Sequence, residues 1–213
     1  MIPGNARIIA CPYCGREKKL MTLISGNTIG ARYWSDNKME APMLPKVSPV
    51  QKCNGCGKYY FTHRQGFRES QDHTSERGLL SYPEWKEAYQ QFTGGQSDDV
   101  SGKDLTMVRF WLIQAYNDYF HRDVSAERQP SPEEQSFIAR IILGFIDALD
   151  WQSEGSPLLK AELYREAGEM GKCAETLNAI DHAGFNGSAK QLYQGIMLRL
   201  KSDNTQVFEL KAL

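Results

Sequence analysis

The chain has 213 residues, 41% hydrophobic and 24% charged, with a formal net charge of −1. That suits a soluble globular protein, built as one ordinary domain or as a small module joined to a larger one. No apolar run approaches the roughly 18 residues of a membrane span. Met1-Ile2-Pro3-Gly4 lacks the basic-then-apolar pattern of a secretory leader, so a cytoplasmic location is expected and the Asn186-Gly187-Ser188 sequon has little weight.

The charge is unevenly spread. Residues 1–65 hold ten Lys/Arg against three Asp/Glu, a balance of +7. Residues 66–213 hold fifteen against twenty-three, a balance of −8. A basic head on an acidic body permits nucleic-acid contact by the head, and equally association of head with body.

Ala6 to Ala10 reads as a short strand leading into Cys11-Pro12-Tyr13-Cys14-Gly15. A second knuckle, Cys53-Asn54-Gly55-Cys56-Gly57, follows after a 38-residue spacer and leads into the aromatic strand Lys58 to Thr62. Two residues between cysteines let both sulfurs of one turn face a single metal, and the trailing glycine suits a left-handed turn. Four thiolates match one tetrahedral structural zinc per chain, held by Cys11, Cys14, Cys53 and Cys56. Disulfides, a thioredoxin-like redox pair and rubredoxin-like iron are the competing readings. A site closed by four protein ligands leaves no open position for metal-centred hydrolysis. A module of about 65 residues buries little apolar surface, so loss of any one cysteine is expected to unfold it.

The long spacer requires an inserted hairpin. Leu20 to Ile24 and Thr28 to Trp34 are strand candidates, Ser35-Asp36-Asn37-Lys38 is a turn, and Pro42, Pro45 and Pro49 stiffen the return. The segment around Arg32, Tyr33, Trp34 and Lys38 admits two readings. It is a recognition hairpin whose aromatics stack on a base or partner, or its rings cover the module's core or dock onto the helical domain.

Residues 66–80 read as a linker between a head (1–65) and a helical body (81–213). Trp85, Ala88, Tyr89 and Phe92 mark the first helix. Ser101 with Asp104, and Ser131-Pro132-Glu133-Glu134, are helix-start signals for the next two. Phe137, Ile138, Ile141, Ile142, Phe145, Ile146 and Leu149 make the third strongly apolar. Beyond Ser156-Pro157, the residues Leu159, Ala161, Tyr164, Gly168, Cys173, Leu177 and Ile180 resemble a tetratricopeptide repeat over about 25 residues. That resemblance implies close antiparallel helices at Ala161 and Cys173, a turn at Gly168, and stacked hairpins. It makes Cys173 a core residue and not a fifth ligand. A last helix is expected from Ser188 to Leu200.

The fold class is therefore α+β: a small N-terminal β zinc ribbon followed by a mainly α-helical domain of stacked, tetratricopeptide-like hairpins. The CPxCG ribbon, the Trp-Ser-Asp hairpin, the second CxxCG and the repeat-like tail together resemble an uncharacterised bacterial protein family. The resemblance implies a cytoplasmic bacterial protein and supplies no activity.

No phosphate loop, G-x-S-x-G, H-E-x-x-H or G-x-G-x-x-G occurs. His63, His73, His121 and His182 read as surface or capping residues. The acid pairs Glu133-Glu134 and Asp98-Asp99 fall at helix starts or loops. No catalytic residue is expected. The sequence points to a non-catalytic interaction or scaffold protein whose helical body takes a protein or peptide. The alternative is a nucleic-acid binder using Arg7, Arg16, Lys18, Lys19, Arg32, Lys38, Lys46, Lys52 and Lys58 on phosphates, with Trp34 or Tyr60 stacking.

Overall fold

A computed structural model of the chain describes residues 1–70, 78–95, 100–122, 128–151 and 156–211. His73, Asp98, Asp99 and much of the expected linker lie outside the described residues. The strands are β1 (Ile2–Pro3), β2 (Ala6–Ala10), β3 (Glu17–Leu20), β4 (Leu23–Ser25), β5 (Arg32–Trp34), β6 (Met39–Glu40), β7 (Val50–Lys52), β8 (Tyr59–Phe61), β9 (Phe67–Ser70) and β10 (Glu209–Leu210). The helices are α1 (Tyr82–Thr93), α2 (Gly102–Asn117), α3 (Pro132–Ala148), α4 (Pro157–Glu166), α5 (Met170–Asn178) and α6 (Gly187–Leu200). The fold is mixed α+β, with the strands mainly N-terminal. None of the described helices is long and apolar enough to cross a membrane.

The chain forms two compact units that divide it differently from the expected domains. The first contains Met1–Ala31 and Glu40–Gln96, and the second Arg32–Met39 and Ser97–Leu213.

In the first unit, β2 lies between β3 and β9, antiparallel to both, and β7 pairs with β8. Part of the expected linker is therefore strand β9, with Phe67 opposite Ile9 and Arg68 opposite Ile8. An isolated β2–β3 ribbon would be marginal, and a third strand makes it a sheet. Helix α1, expected at the start of the body, belongs to this unit. Phe92 stacks on Phe61 with ring centroids 4.4 Å apart. The Gln91 side chain completes the edge of β8: it donates to Tyr59 O at 2.8 Å and accepts from Tyr59 N at 2.9 Å. Tyr59 and Lys52 both donate to Glu87, at 2.6 and 3.0 Å. Glu87, Gln91 and Phe92 each reach β8 from α1.

In the second unit, β5 pairs with both β10 and β6. Ser35 N donates to Phe208 O at 2.9 Å, and Phe208 N returns a bond to Ser35 Oγ at 3.0 Å. The predicted starts of α2 and α3 are present as capping boxes at Ser101 and Ser131, each hydroxyl accepting the N3 amide at 3.2 Å. Val108, Leu112, Ile138, Ile141 and Ile142 of these two helices are buried. Helices α4, α5 and α6 share a core of Leu158, Ala161, Cys173, Leu177 and Ile196, and Phe208 closes it. Cys173 is thus a core residue. Gly168 takes φ +79° between α4 and α5, a conformation that costs glycine little.

Candidate metal centre

The two knuckles are copies of one backbone device. Cys11 N donates to Arg16 O at 2.9 Å, and Gly15 N donates to Cys11 O at 2.9 Å. Cys53 N donates to Lys58 O, and Gly57 N to Cys53 O, at the same 2.9 Å. Gly15 and Gly57 both have φ +74°. Each loop thereby turns two sulfurs to one side, and strands β2 and β8 hold the loops: Cys11 follows the end of β2, and Cys53 follows β7, which pairs with β8. The first cysteine of each knuckle is buried and the second exposed.

The four Sγ atoms lie within 4.8 Å of one another. Cys11 and Cys56 approach to 3.7 Å, and Cys14 and Cys53 to 3.4 Å. A zinc–thiolate bond of about 2.3 Å gives a tetrahedral sulfur–sulfur edge of about 3.8 Å, while a disulfide needs about 2.05 Å. The spacing fits four ligands around one ion, and all four cysteines are free thiols.

The electrostatics of the metal-free cluster support the same fit. Burial pushes the Cys11 thiol up to about 12. Cys14 is raised by its contact with Cys53, against the lowering effect of the Arg16 amide. Against its own burial, Cys53 is held down at about 6 by the amides of Cys56 and Gly55, the latter donating to its sulfur at 3.3 Å. One thiolate, at Cys53, is thus favoured, while Cys11 and Cys14 are pushed toward the thiol. A divalent cation would supply the charge that lets all four ionise. Tyr60, packed with Cys11, Cys53, Ile9 and Leu20, is pushed up to about 12 by burial and by the thiolate charge.

The other predicted binding residues do not form one open surface. Trp34 is only 7% exposed, with the guanidinium groups of Arg32 and Arg122 over its ring at 4.9 and 5.0 Å. Tyr33 is exposed. Arg32 is bidentate to Glu209, at 3.0 and 2.7 Å, and Lys38 pairs with Asp118. Lys52 is paired with Glu87, and Arg7 lies over the Phe67 ring at 4.4 Å.

One polar cluster escaped sequence reasoning. It lies in the second unit around Asn117, whose amide donates to Asp36 at 3.0 Å and to Glu166 at 2.8 Å. Arg122 pairs with Asp36 and with Asp118. Glu162 and Arg165 form a fully buried pair. His121, read as a surface or capping residue, has a buried Nδ1, and burial pushes its imidazole down to about 4. The physical reason is that α2 continues as a π-helical turn, Asp118–Arg122, which directs the ring inward. The available signal was weak: acids and bases at i, i+3 and i+4 on an otherwise apolar helix.

Comparison with protein-family models, with curated proteins and with solved structures gave no significant match to this chain.

Proposed function

We propose that the protein is a zinc-stabilised interaction or scaffold protein without catalytic activity. Its first unit is a CPxCG zinc ribbon folded around one structural Zn²⁺ on Cys11, Cys14, Cys53 and Cys56. Its α4–α5 hairpin is tetratricopeptide-like, and its helical body presents a protein- or peptide-binding surface in the cytoplasm. The observation that carries the reading is the four-sulfur cluster on two copied knuckles, whose edges match a tetrathiolate zinc site. When bound, zinc supplies folding free energy of order 10–16 kcal/mol and, with every position filled by protein, no site for water activation. The residues do the rest: Gly15 and Gly57 shape the loops, the knuckle amides stabilise thiolate charge, and Tyr60 and Leu20 shield the buried sulfurs.

Native mass spectrometry tests it. One zinc per chain, lost on denaturation and missing from Cys53→Ser, is expected. Iron, or no metal, returns the four thiols to redox chemistry. The nucleic-acid alternative rests on the +7 balance of residues 1–65. It predicts affinity that falls steeply with salt and Lys18→Ala and Lys19→Ala changes that flatten the slope. The ion pairs of Arg32, Lys38 and Lys52 favour the interaction reading, because three of its nine phosphate-binding candidates are engaged internally.

A further inference from the structure

The second unit contains a cavity of about 430 Å³ whose wall includes Tyr116, Asn117, His121, Ile138, Ala139, Ile142 and Glu166. Its size falls within the range of small-molecule sites. One side is apolar, from Ile138, Ala139 and Ile142 of α3. Gln135, Ser136, Asp203 and Thr205 add polar groups to its lining.

Two polar atoms on this wall have no hydrogen-bond partner among the described residues: Glu166 Oε1 and His121 Nδ1, both buried. Glu166 is only 8% exposed, and its other oxygen already accepts from Asn117. An unmet buried carboxyl oxygen costs of order 1–3 kcal/mol, so a fold that keeps two such atoms on one cavity has a reason for them. The local field is negative at Glu166 and positive at His121, where Arg122 and Arg165 act. Glu162 and Asp36 act on Glu166 as negative charges, against Arg165 as a positive one. Glu166 ends α4, and His121 lies on the π-helical turn that ends α2. Both helix termini carry partial negative charge, which favours a cation. Arg122, one of two cations that act on His121, is turned to Asp36 and Asp118.

We propose that this cavity binds a small organic cation, a primary ammonium whose N–H groups donate to Glu166 Oε1 and His121 Nδ1 while its apolar body lies on Ile138, Ala139 and Ile142. Burial pushes the imidazole down to about 4, and the tautomer with its proton on Nε2 offers Nδ1 as the acceptor. Burial, with Glu162 and Asp36 adding to it, pushes the Glu166 carboxyl well above its usual range in the free protein. The arriving ammonium favours the carboxylate, so binding shifts Glu166 toward its ionised form and proton release accompanies it. The groups that face Glu166 and set this exchange are Asp36, Glu162, Arg165, Asn117 and His121. The site is independent of the zinc cluster, so either reading can fail alone.

The test uses three probes with one body and three charges: phenethylammonium, 2-phenylethanol and 3-phenylpropionate, titrated calorimetrically into the full zinc-loaded chain. Phenethylammonium should bind at least about tenfold more tightly than the alcohol, since a hydrogen bond to a charged group exceeds a neutral one by about that factor. Its heat should vary with the buffer's ionisation enthalpy, as proton release requires. Glu166→Gln should remove both effects. Ala139→Phe, which fills the cavity and leaves Glu166 alone, should abolish binding of all three, so a misfolded Glu166 variant does not decide the matter. Equal or tighter binding of the carboxylate overturns the proposal. So does binding that survives Ala139→Phe, or the absence of saturable binding by phenethylammonium.

Discussion

Glu162→Gln breaks the most buried ion pair of the second unit. Both side chains are 0% exposed, and the Arg165 guanidinium reaches the carboxylate twice, at 2.8 Å from Nε and 2.5 Å from its NH2 group. The neutral amide leaves the guanidinium charge buried beside Glu166, whose own carboxyl burial pushes well above its usual range. Removing one partner of such a pair costs about 3–5 kcal/mol, against about 1 kcal/mol or less for a solvated pair. For a chain of this size that is a fall in Tm of roughly 10 °C. Replacing both residues, as Glu162→Leu with Arg165→Met, should recover most of the loss, because well-packed apolar groups avoid the desolvation of both charges. A residue of about 1 kcal/mol should remain, since Arg165 also donates to Asn204 O. Urea unfolding followed by far-UV circular dichroism measures all three variants. A single-variant loss below about 1 kcal/mol, or a double variant worse than the single, would refute the assignment of a desolvated pair.

Three further outcomes follow from the same geometry. Gly57→Ala should weaken zinc binding about tenfold in a chelator competition, because a Cβ at φ +74° costs about 1–2 kcal/mol although no atom lies within 4 Å of it. Phe92→Ala should destabilise the first unit by about 3–5 kcal/mol in denaturant unfolding while leaving metal stoichiometry unchanged, since it removes the ring stacked on Phe61 and touches no cysteine. For Glu166, burial raises the folded-state pKa well above 4.5. A raised folded pKa means stability that is full at low pH and lost as pH rises through that value. Glu166→Gln cannot titrate, so its stability relative to the parent should improve as pH rises above the ordinary carboxyl range in urea titrations. A constant difference would show that the carboxyl does not change state.

Local signals were legible and distant ones were not. The knuckles need only two residues between sulfurs and a following glycine, so their loops could be read from eleven to fifteen and from fifty-three to fifty-seven. Ser101 and Ser131 announce α2 and α3 because a capping box closes within four residues. Strand β9 was hidden because its partner Ile9 is 58 residues away and its own sequence, Phe67-Arg68-Glu69-Ser70, reads as polar. The place of Trp34 depended on Glu209 and Arg122, which no local pattern connects to it. Strand β10 has two residues and gains its meaning from β5 alone. Helix α1 was read correctly as a helix, yet its unit was set by the aromatic face of β8, which the sequence presents 30 residues earlier.

The eight residues Arg32–Met39 interrupt the first unit and complete the second. The polypeptide therefore passes between the units three times: after Ala31, after Met39 and after Gln96. Severing the chain beyond α1 would cut only one of these passages. The N-terminal fragment would still carry Trp34, Ser35 and Asp36, and the C-terminal fragment their partners Phe208, Asn117 and Arg122. The two pieces would behave as complementing halves that reassemble through a shared strand, and a clean excision of either unit would need a graft in place of that hairpin.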